Sequence, residues 1–444
     1  MSIRLKTVLY KAVLLSMVLG LLGFTIALAA PGDLDTTFSG DGLVTSYVVP
    51  SNPGRGDVVE GIAIQSNDKI VAVGYSYVPS SSTSDFALTQ YNPDGSLDTT
   101  FSGDGRVITN FGGYDSAFDV AIQSNGKIVV AGQKCVSDIC DVALARYNQN
   151  GALDATFSGD GKQIFDFGGR DNGSFGGLAI QSNGKIVVAG YIWNGTNYDM
   201  AIYRFNTNGT PDTTFSGDGV AVGNFGPGRR DDTRDLVLQS DGKIVVVGLS
   251  GDVNGDNNDF AIARLNENGT ADTTFSGDGR VTTNFGGDEV AWGLDLQSNG
   301  KIVVAGAKSN GTLLYFVVAR YNANGNLDTT FNGTGKKVFS VIPGAWSYAR
   351  DVKVLSNGKI VVSGATANGS LSDFAVVRLN SGGGFDSTFS GDGKVTVGFE
   401  SYDEGEEDFG STLAVQPVDG KYVLGGYIHN FSEAPEFGLA RVLP

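Results

Sequence analysis

The sequence has 444 residues, a formal net charge of −17, 65 glycines and only 18% charged residues against 41% hydrophobic ones. So much glycine with so little charge suits short strands joined by tight turns. It excludes helical bundles, which draw on Ala, Leu, Glu and Lys, and the hydrophobic share excludes wholesale disorder. An acidic balance of this size lacks the basic footprint that nucleic acid or an anionic membrane requires.

The first thirty residues differ from the rest. Arg4, Lys6 and Lys11 form a positive segment, residues 12–26 are apolar, and Ala27-Leu28-Ala29 is an A-x-A cleavage signal. The pattern predicts a secretory signal peptide over 1–29 and one domain over 30–444, free in the medium or displayed at the cell surface and not inserted in a membrane after cleavage. An uncleaved anchor is the alternative, for which the apolar run is short. Removing the leader leaves a net charge of about −20. The only cysteines are Cys135 and Cys140; in an oxidising compartment they predict one disulfide pinning a hairpin loop, which contributes about 2 kcal/mol on the loop-entropy scale. With no further cysteine and His429 as the sole histidine, a zinc site is not expected.

A repeat dominates the rest of the chain. The string LDTTFSGDG, or a close variant, occurs seven times, with its phenylalanines at Phe38, Phe101, Phe157, Phe215, Phe275, Phe331 and Phe389, spaced by 56 to 63 residues. A second string, QSNGKIVVAG in its fullest form, also occurs seven times, with lysines at Lys69, Lys127, Lys185, Lys243, Lys301, Lys359 and Lys421. An ARYN-like string follows each of these and decays to ARVL at 440–443. Each period holds four strand-like runs. Around residue 300 they are strand A at 292–297 (WGLDLQ), strand B at 301–306 (KIVVAG), strand C at 316–321 (FVVARY) and strand D at 336–341 (KKVFSV). Asn299-Gly300 and Asn324-Gly325 read as type I′ hairpin turns, and the continuous apolar run of strand B reads as buried on both faces.

Four antiparallel strands repeated seven times predict an all-β, seven-bladed β-propeller. The mature chain opens on a lone D segment and finishes on a lone C strand at 437–442. The N-terminal strand is therefore expected to pair with the C-terminal strands and close the ring; an open solenoid is the alternative. The combined LDTTFSGDG, QSNGKIVVAG and DFALARYN-type strings resemble the bacterial delta-60 repeat family over nearly the whole mature chain. The resemblance implies export and a propeller, and it brings no catalytic residues to transfer.

Residues present in every copy are most simply structural, because an active site is one place. The repeated carboxylates, from Asp35 and Asp98 through Asp386, are expected to fix turns by bonding nearby amides. The strand-C arginines Arg146, Arg204, Arg264, Arg320, Arg378 and Arg441, replaced by Gln90 in the first copy, are expected to pair with a repeated Asp between blades. Sialidases gather arginines in a propeller channel, but NGxLDTTF does not match their S-x-D-x-G-x-x-W pattern. A Ser-His-Asp or Cys-His arrangement would need His429, with nothing identifiable around it. Asp252, Asn254 and Asp256 alternate within GDVNGDNND and suggest calcium, although Asn257 stands where an EF-hand needs Gly and the closing Glu is missing. A solvated loop is the favoured reading, and no other cofactor is expected.

Antiparallel connectivity puts the uniform A–B and C–D turns on one face and the variable B–C and D–A loops on the other. The ligand-face candidates are Trp193, Tyr75, Tyr191, Tyr198 and His429 in B–C loops, Trp346 in a D–A loop, and Trp292 at the entry to strand A. Acidic groups at Asp231, Asp232, Asp288, Glu289 and 404–408 are assigned to D–A loops. The leading expectation is a secreted binding or scaffold protein that recognises protein or carbohydrate through these loops. The alternatives are a carboxylate-based, calcium-dependent hydrolase or lyase at the channel, and an architectural module of a cell surface or matrix.

Overall fold

The computed structural model describes residues 29–49, 56–78, 83–137, 139–166, 171–172, 177–369, 371–399, 406–430 and 434–444. Of the expected signal peptide only Ala29 is among them, and Glu404 also lies outside. All regular structure in the described residues is β-strand, arranged as the four-stranded antiparallel blades of a propeller. In one blade, strand A is Asp288–Leu296, B is Ile302–Ser309, C is Leu314–Tyr321 and D is Lys336–Phe339, each paired with the next. At the chain ends, Glu406–Val415, Tyr422–Asn430 and Glu436–Val442 are joined by Leu43–Ser46, with Leu43 opposite Ala440 and Ser46 opposite Phe437. Single parallel bridges, Ser84 to Tyr114 and Ser372 to Glu407, link neighbouring blades.

Two local expectations need correction. Strand A begins at Asp288 rather than 292, so the segment read as a D–A loop is strand. The Asn-Gly turns are three-residue loops, not type I′. Gln297 N donates to Lys301 O at 2.9 Å, and Gly300 N donates back to Gln297 O at 2.9 Å. Of the turn residues only Gly300 has positive φ, at 79°, the pattern of a type I turn closed by one left-handed residue.

Burial explains the stacking. Strands B and C carry apolar side chains on both faces, and each core cluster draws on two neighbouring blades. Val129 and Leu144 of one blade pack with Ile186, Val188 and Tyr203 of the next. The cluster around Val59 and Ile70 likewise takes in Phe38 from the N-terminal segment and Val423 and Leu439 from the C-terminal strands. Cys135 and Cys140 face each other across a B–C hairpin and are disulfide-bonded.

The repeated Asp, Arg, Lys and Thr form one network from blade to blade, without the arginine where Gln90 replaces it and Asp98 keeps only Lys69 and Thr100. Arg146 Nε donates to Asp154 Oδ2 at 2.6 Å, Lys127 Nζ donates to the same oxygen at 2.7 Å, and Thr156 Oγ1 donates to Asp154 Oδ1 at 2.8 Å. The arginine thus pairs with an Asp of its own blade, eight residues on, and not between blades as expected. Its Nη1 makes the inter-blade contact, reaching the carbonyl of Thr207 in the next C–D turn. Its ζ carbon lies 4.8 Å from the centroid of Phe157. At the chain ends the same network is assembled from both termini: Arg441 Nε donates to Asp35 Oδ2 at 2.7 Å and Lys421 Nζ lies 3.0 Å from it. Burial opposes the charge on Asp35, but bonds from Thr37 and Lys421 and the field of Arg441 outweigh it and bring its pKa to about 2.

Removing one partner of such a buried, charge-assisted bond costs about 1.5–3 kcal/mol. Arg441→Ala is expected to lower the urea-unfolding free energy by about as much as Arg264→Ala, because both leave one of these carboxylates short of its guanidinium. An unchanged urea midpoint for Arg441→Ala alone would show that the two chain ends do not share the cooperative core.

Candidate functional site

Strand A carries an irregularity that the repeat does not advertise. Its register against strand B slips by one residue between Val59 and Gly61, Ala117 and Asp119, Thr233 and Asp235, Ala291 and Gly293, Ala349 and Asp351, and Gly410 and Thr412. The extra residues are Glu60, Phe118, Arg234, Trp292, Arg350 and Ser411, and no two consecutive ones agree. A β-bulge re-aims one side chain and leaves its neighbours in place. All six line one cavity of about 1000 Å³, together with Gly177. Glycine makes the bulge fit: a Cβ on Gly306 would overlap the carbonyl oxygen of Val290, and Gly74, Gly132, Gly248, Gly364 and Gly426 stand in the same relation to their own strand A.

Two arginines meet one tryptophan in this cavity. The ζ carbons of Arg350 and Arg234 lie 4.1 and 4.6 Å from the ring of Trp292, within cation–π range. Arg350 Nη2 is 3.3 Å from Glu60 Oε2. The buried Asp232 takes Arg230 Nη2 at 2.9 Å and Arg234 Nη2 at 3.4 Å. Arg230 extends over Tyr198, which meets Tyr191 and Trp193 edge-on at 5.0 and 5.1 Å. On the other side, Tyr75, Tyr348 and Tyr427 lie within the field of Glu60, and Trp346 stacks on Tyr348 at 5.9 Å. Burial, then the Glu60 charge, pushes the Tyr75 hydroxyl to about 12, and burial raises Glu60 and lowers Arg234.

Further along strand A, carboxylates tie neighbouring blades together. Asp119 Oδ1 accepts Val120 N at 2.7 Å, and its Oδ2 accepts Leu178 N of the next blade at 2.7 Å. Asp235 bridges Leu236 and Leu294, Asp295 bridges Leu296 and Val354, and Asp351 bridges Val352 and Leu413 in the same way. Lys353 Nζ reaches Asp351 Oδ1 at 2.8 Å; burial disfavours its charge, but Asp351, Asp235 and Asp295 outweigh burial and raise its pKa. Burial holds the Asp119 carboxyl up at about 6 and Asp235 well above the usual range.

Of the expected ligand-face residues Trp346 lies in the D–A segment as expected, and the others lie in strands rather than loops. Tyr75, Tyr191, Tyr198 and His429 are in strands, which run beyond the apolar strings; Trp193 opposes Tyr198 in register, and His429 opposes Glu407 of strand A. Trp292 is a mid-strand bulge residue, and Trp346 directly precedes strand A Ser347–Val354. The structure connects Trp193, Tyr191, Tyr198, Trp292, Tyr75 and Trp346 through Arg230, Arg234, Arg350 and Glu60, none of which the sequence reading singled out. Asp231, Asp232 and Glu289 are buried strand residues, and Asp231 Oδ2 takes the amide of Phe225 in the preceding loop at 2.9 Å. The calcium-like string is a turn: Asp252 Oδ1 accepts the amides of Asn254 and Asp256 at 3.0 Å each. Among the described residues no three His, Cys, Asp or Glu side chains are grouped to hold a metal ion.

The fold makes this chain a β-propeller repeat protein. Residues 65–101, 123–157, 181–215, 239–275, 297–331 and 355–389 match the profile of a β-propeller domain of unknown function, DUF5122, each segment running from the A–B turn to the phenylalanine of LDTTF. No match was found among curated proteins. Similar solved structures include the β-propeller domain of the Trilobed protease from Pyrococcus furiosus, 9% identical with a TM-score of 0.42, covering 86% of this chain and 94% of that one. Others are the α-L-arabinofuranosidase arb93a from Fusarium graminearum (8%, TM-score 0.43, 90% and 97%) and Drosophila Semaphorin 1b, extracellular domains 1–2 (8%, TM-score 0.44, 93% and 88%).

Two measurements test this geometry. Gly306→Ala is expected to cost about 2–3 kcal/mol in urea unfolding, because the added methyl meets backbone and not a flexible side chain. The second concerns pH. Asp115, Asp119 and Glu289, each held at about 6 chiefly by burial, weaken the fold as pH rises from the ordinary carboxylate range through 6. Asp35 and its counterparts, whose pKa values are lowered, contribute stability that disappears as pH falls below that range. The thermal midpoint should therefore rise from pH 7.5 to about 5 and fall steeply below about 3. A midpoint that drops between 7.5 and 5 would contradict the assignment of the buried carboxylates.

Proposed function

We propose that the protein is an exported binding propeller of seven blades, closed into a ring by Leu43–Ser46 against Glu436–Val442, that takes a hydroxyl-rich ligand in the cavity lined by the bulge residues. Closure draws support from the Asp35–Arg441 network and from the core cluster that joins both chain ends to the first blade. Export rests on the leader read at 1–29. The observation that carries the binding site is the bulge itself: the backbone is alike from blade to blade, yet the side chain it releases into the cavity changes from Glu to Phe, Arg, Trp and Ser. Uniform backbone with varied side chains is the signature of a surface that recognises something.

Aromatic rings beside hydrogen-bonding groups suit carbohydrate, since a sugar offers an apolar ring face and a rim of hydroxyls. Binding is favoured over hydrolysis because Asp119, Asp235, Asp295 and Asp351 already spend both oxygens on backbone amides. A glycan array probed with the mature chain, followed by titration of each hit, tests the reading. Trp292→Phe with Phe118→Ala, both lining the cavity, should weaken capture about tenfold or more. Undiminished capture by that double variant would remove the cavity as the site.

A further inference from the structure

We infer that the ligand of this cavity carries a carboxylate on a sugar ring, a uronate residue, and that Arg350 with Arg234 receives that carboxylate. The inference rests on the cavity being the binding site. Three guanidinium groups, on Arg230, Arg234 and Arg350, meet two carboxylates, on Asp232 and Glu60, in the contacts around Trp292. Of these groups Arg234, Arg350 and Glu60 line the cavity, so beside Trp292 its wall carries two guanidinium groups against one carboxylate, inside a chain whose net charge is −17. Arginine is expensive to bury without an anion, and such an excess invites one.

Geometry narrows the anion. Arg350 is a bulge residue whose ζ carbon lies 4.1 Å from the Trp292 ring centroid, and of its donors only Nη2 makes a hydrogen bond among the described residues. Its Nε and Nη1 remain for a ligand. A fixed planar fork of this kind matches the two oxygens of a carboxylate. The other cations of the lining are already paired, Lys353 with Asp351 and both Lys359 and Arg378 with Asp386, so a second anionic group finds no unspent partner there. Ser356, Ser411 and Thr412 also line the cavity, and their hydroxyls can donate to or accept from a polyol. One carboxylate, several hydroxyls and a ring-sized body describe a uronic acid.

Glu60 gives the inference a test that a merely structural arginine would not pass. Because Glu60 occupies Arg350 Nη2, Glu60→Gln should release the guanidinium and raise uronate affinity several-fold. Isothermal titration of the mature chain would use galacturonate oligomers, neutral galactose oligomers of equal length, and a sulfated galactose oligomer. Uronate binding should exceed neutral binding by about tenfold or more and weaken with salt. Arg350→Gln should abolish that preference, and Arg350→Lys should retain part of it. Should Arg350→Gln fail to fold, Glu60→Gln supplies the decision by itself. Neutral or sulfated oligomers binding as tightly as uronates, or Glu60→Gln leaving uronate affinity unchanged, would overturn the uronate assignment while the cavity remained a binding site. Failure of all three sugars to bind would remove both readings.

Discussion

The structure depends on sheets that are apolar on both faces. Val303 and Ala305 point to one neighbour, Val304 and Val317 to the other, and all four are fully buried. A blade of this kind has no stable existence alone, since half its hydrophobic surface would face water on either side. Everything repeated in the chain serves the contact between blades. The Asp–Lys–Arg–Thr network holds strands B and C to the D segment and sends the arginine Nη1 to the following turn. Where two like elements lie far apart in sequence, as Asp35 and Arg441 do, the same bonds form at the same lengths. Sequence separation is irrelevant to the energetics once the sheets are stacked.

Legibility follows the same division. The strand types, their order, the two-faced burial of strand B and the pairing of the terminal segments could be read because each is repeated, and repetition averages away local noise. The structural role of the LDTT aspartates was readable for the same reason. The turn type was misread because Asn-Gly serves equally in a two-residue loop and at the end of a three-residue one, and only hydrogen bonding tells them apart. The start of strand A was misread because Asp288, Glu289 and their counterparts look like loop residues, whereas Asp231 and its equivalents are buried to hold the preceding loop by its amides.

The cavity was the hardest part to read. Period-two alternation fails at a bulge, so a sequence read as an even strand assigns Arg234 and Arg350 to the wrong face. A signal was nonetheless present: the glycine that ends each VVAG run in strand B is demanded by the bulging carbonyl opposite. Paired with the non-repeating residue of strand A, that glycine marks the cavity-lining position in every described copy of the bulge. Trp292 entered the candidate set for the wrong reason, as an aromatic at a loop entrance. The aromatics at 75, 191, 193, 198 and 346 were singled out by their type, but what connects them was not, because arginines 230, 234 and 350 lie outside the repeated strings.

The bulge lets a fold so uniform vary the side chains that line its cavity at little cost to stability. Each side of the extra residue is fixed by groups that do not change in kind: glycine in strand B, and, where an aspartate follows, a carboxylate bonded to its own strand and to the next blade. The residue between contributes little to the inter-blade core, so it can be Glu, Phe, Arg, Trp or Ser while the stacking survives. Cavity lining and blade stacking are thereby assigned to adjacent positions in one strand. Charge follows the same logic, for a chain that is acidic overall keeps Arg234 and Arg350 in its interior only because Asp232, Glu60 and the Trp292 ring stabilise them there. Such an arrangement is difficult to account for as packing alone, since a hydrophobic side chain at either bulge would fill the space without any desolvation cost.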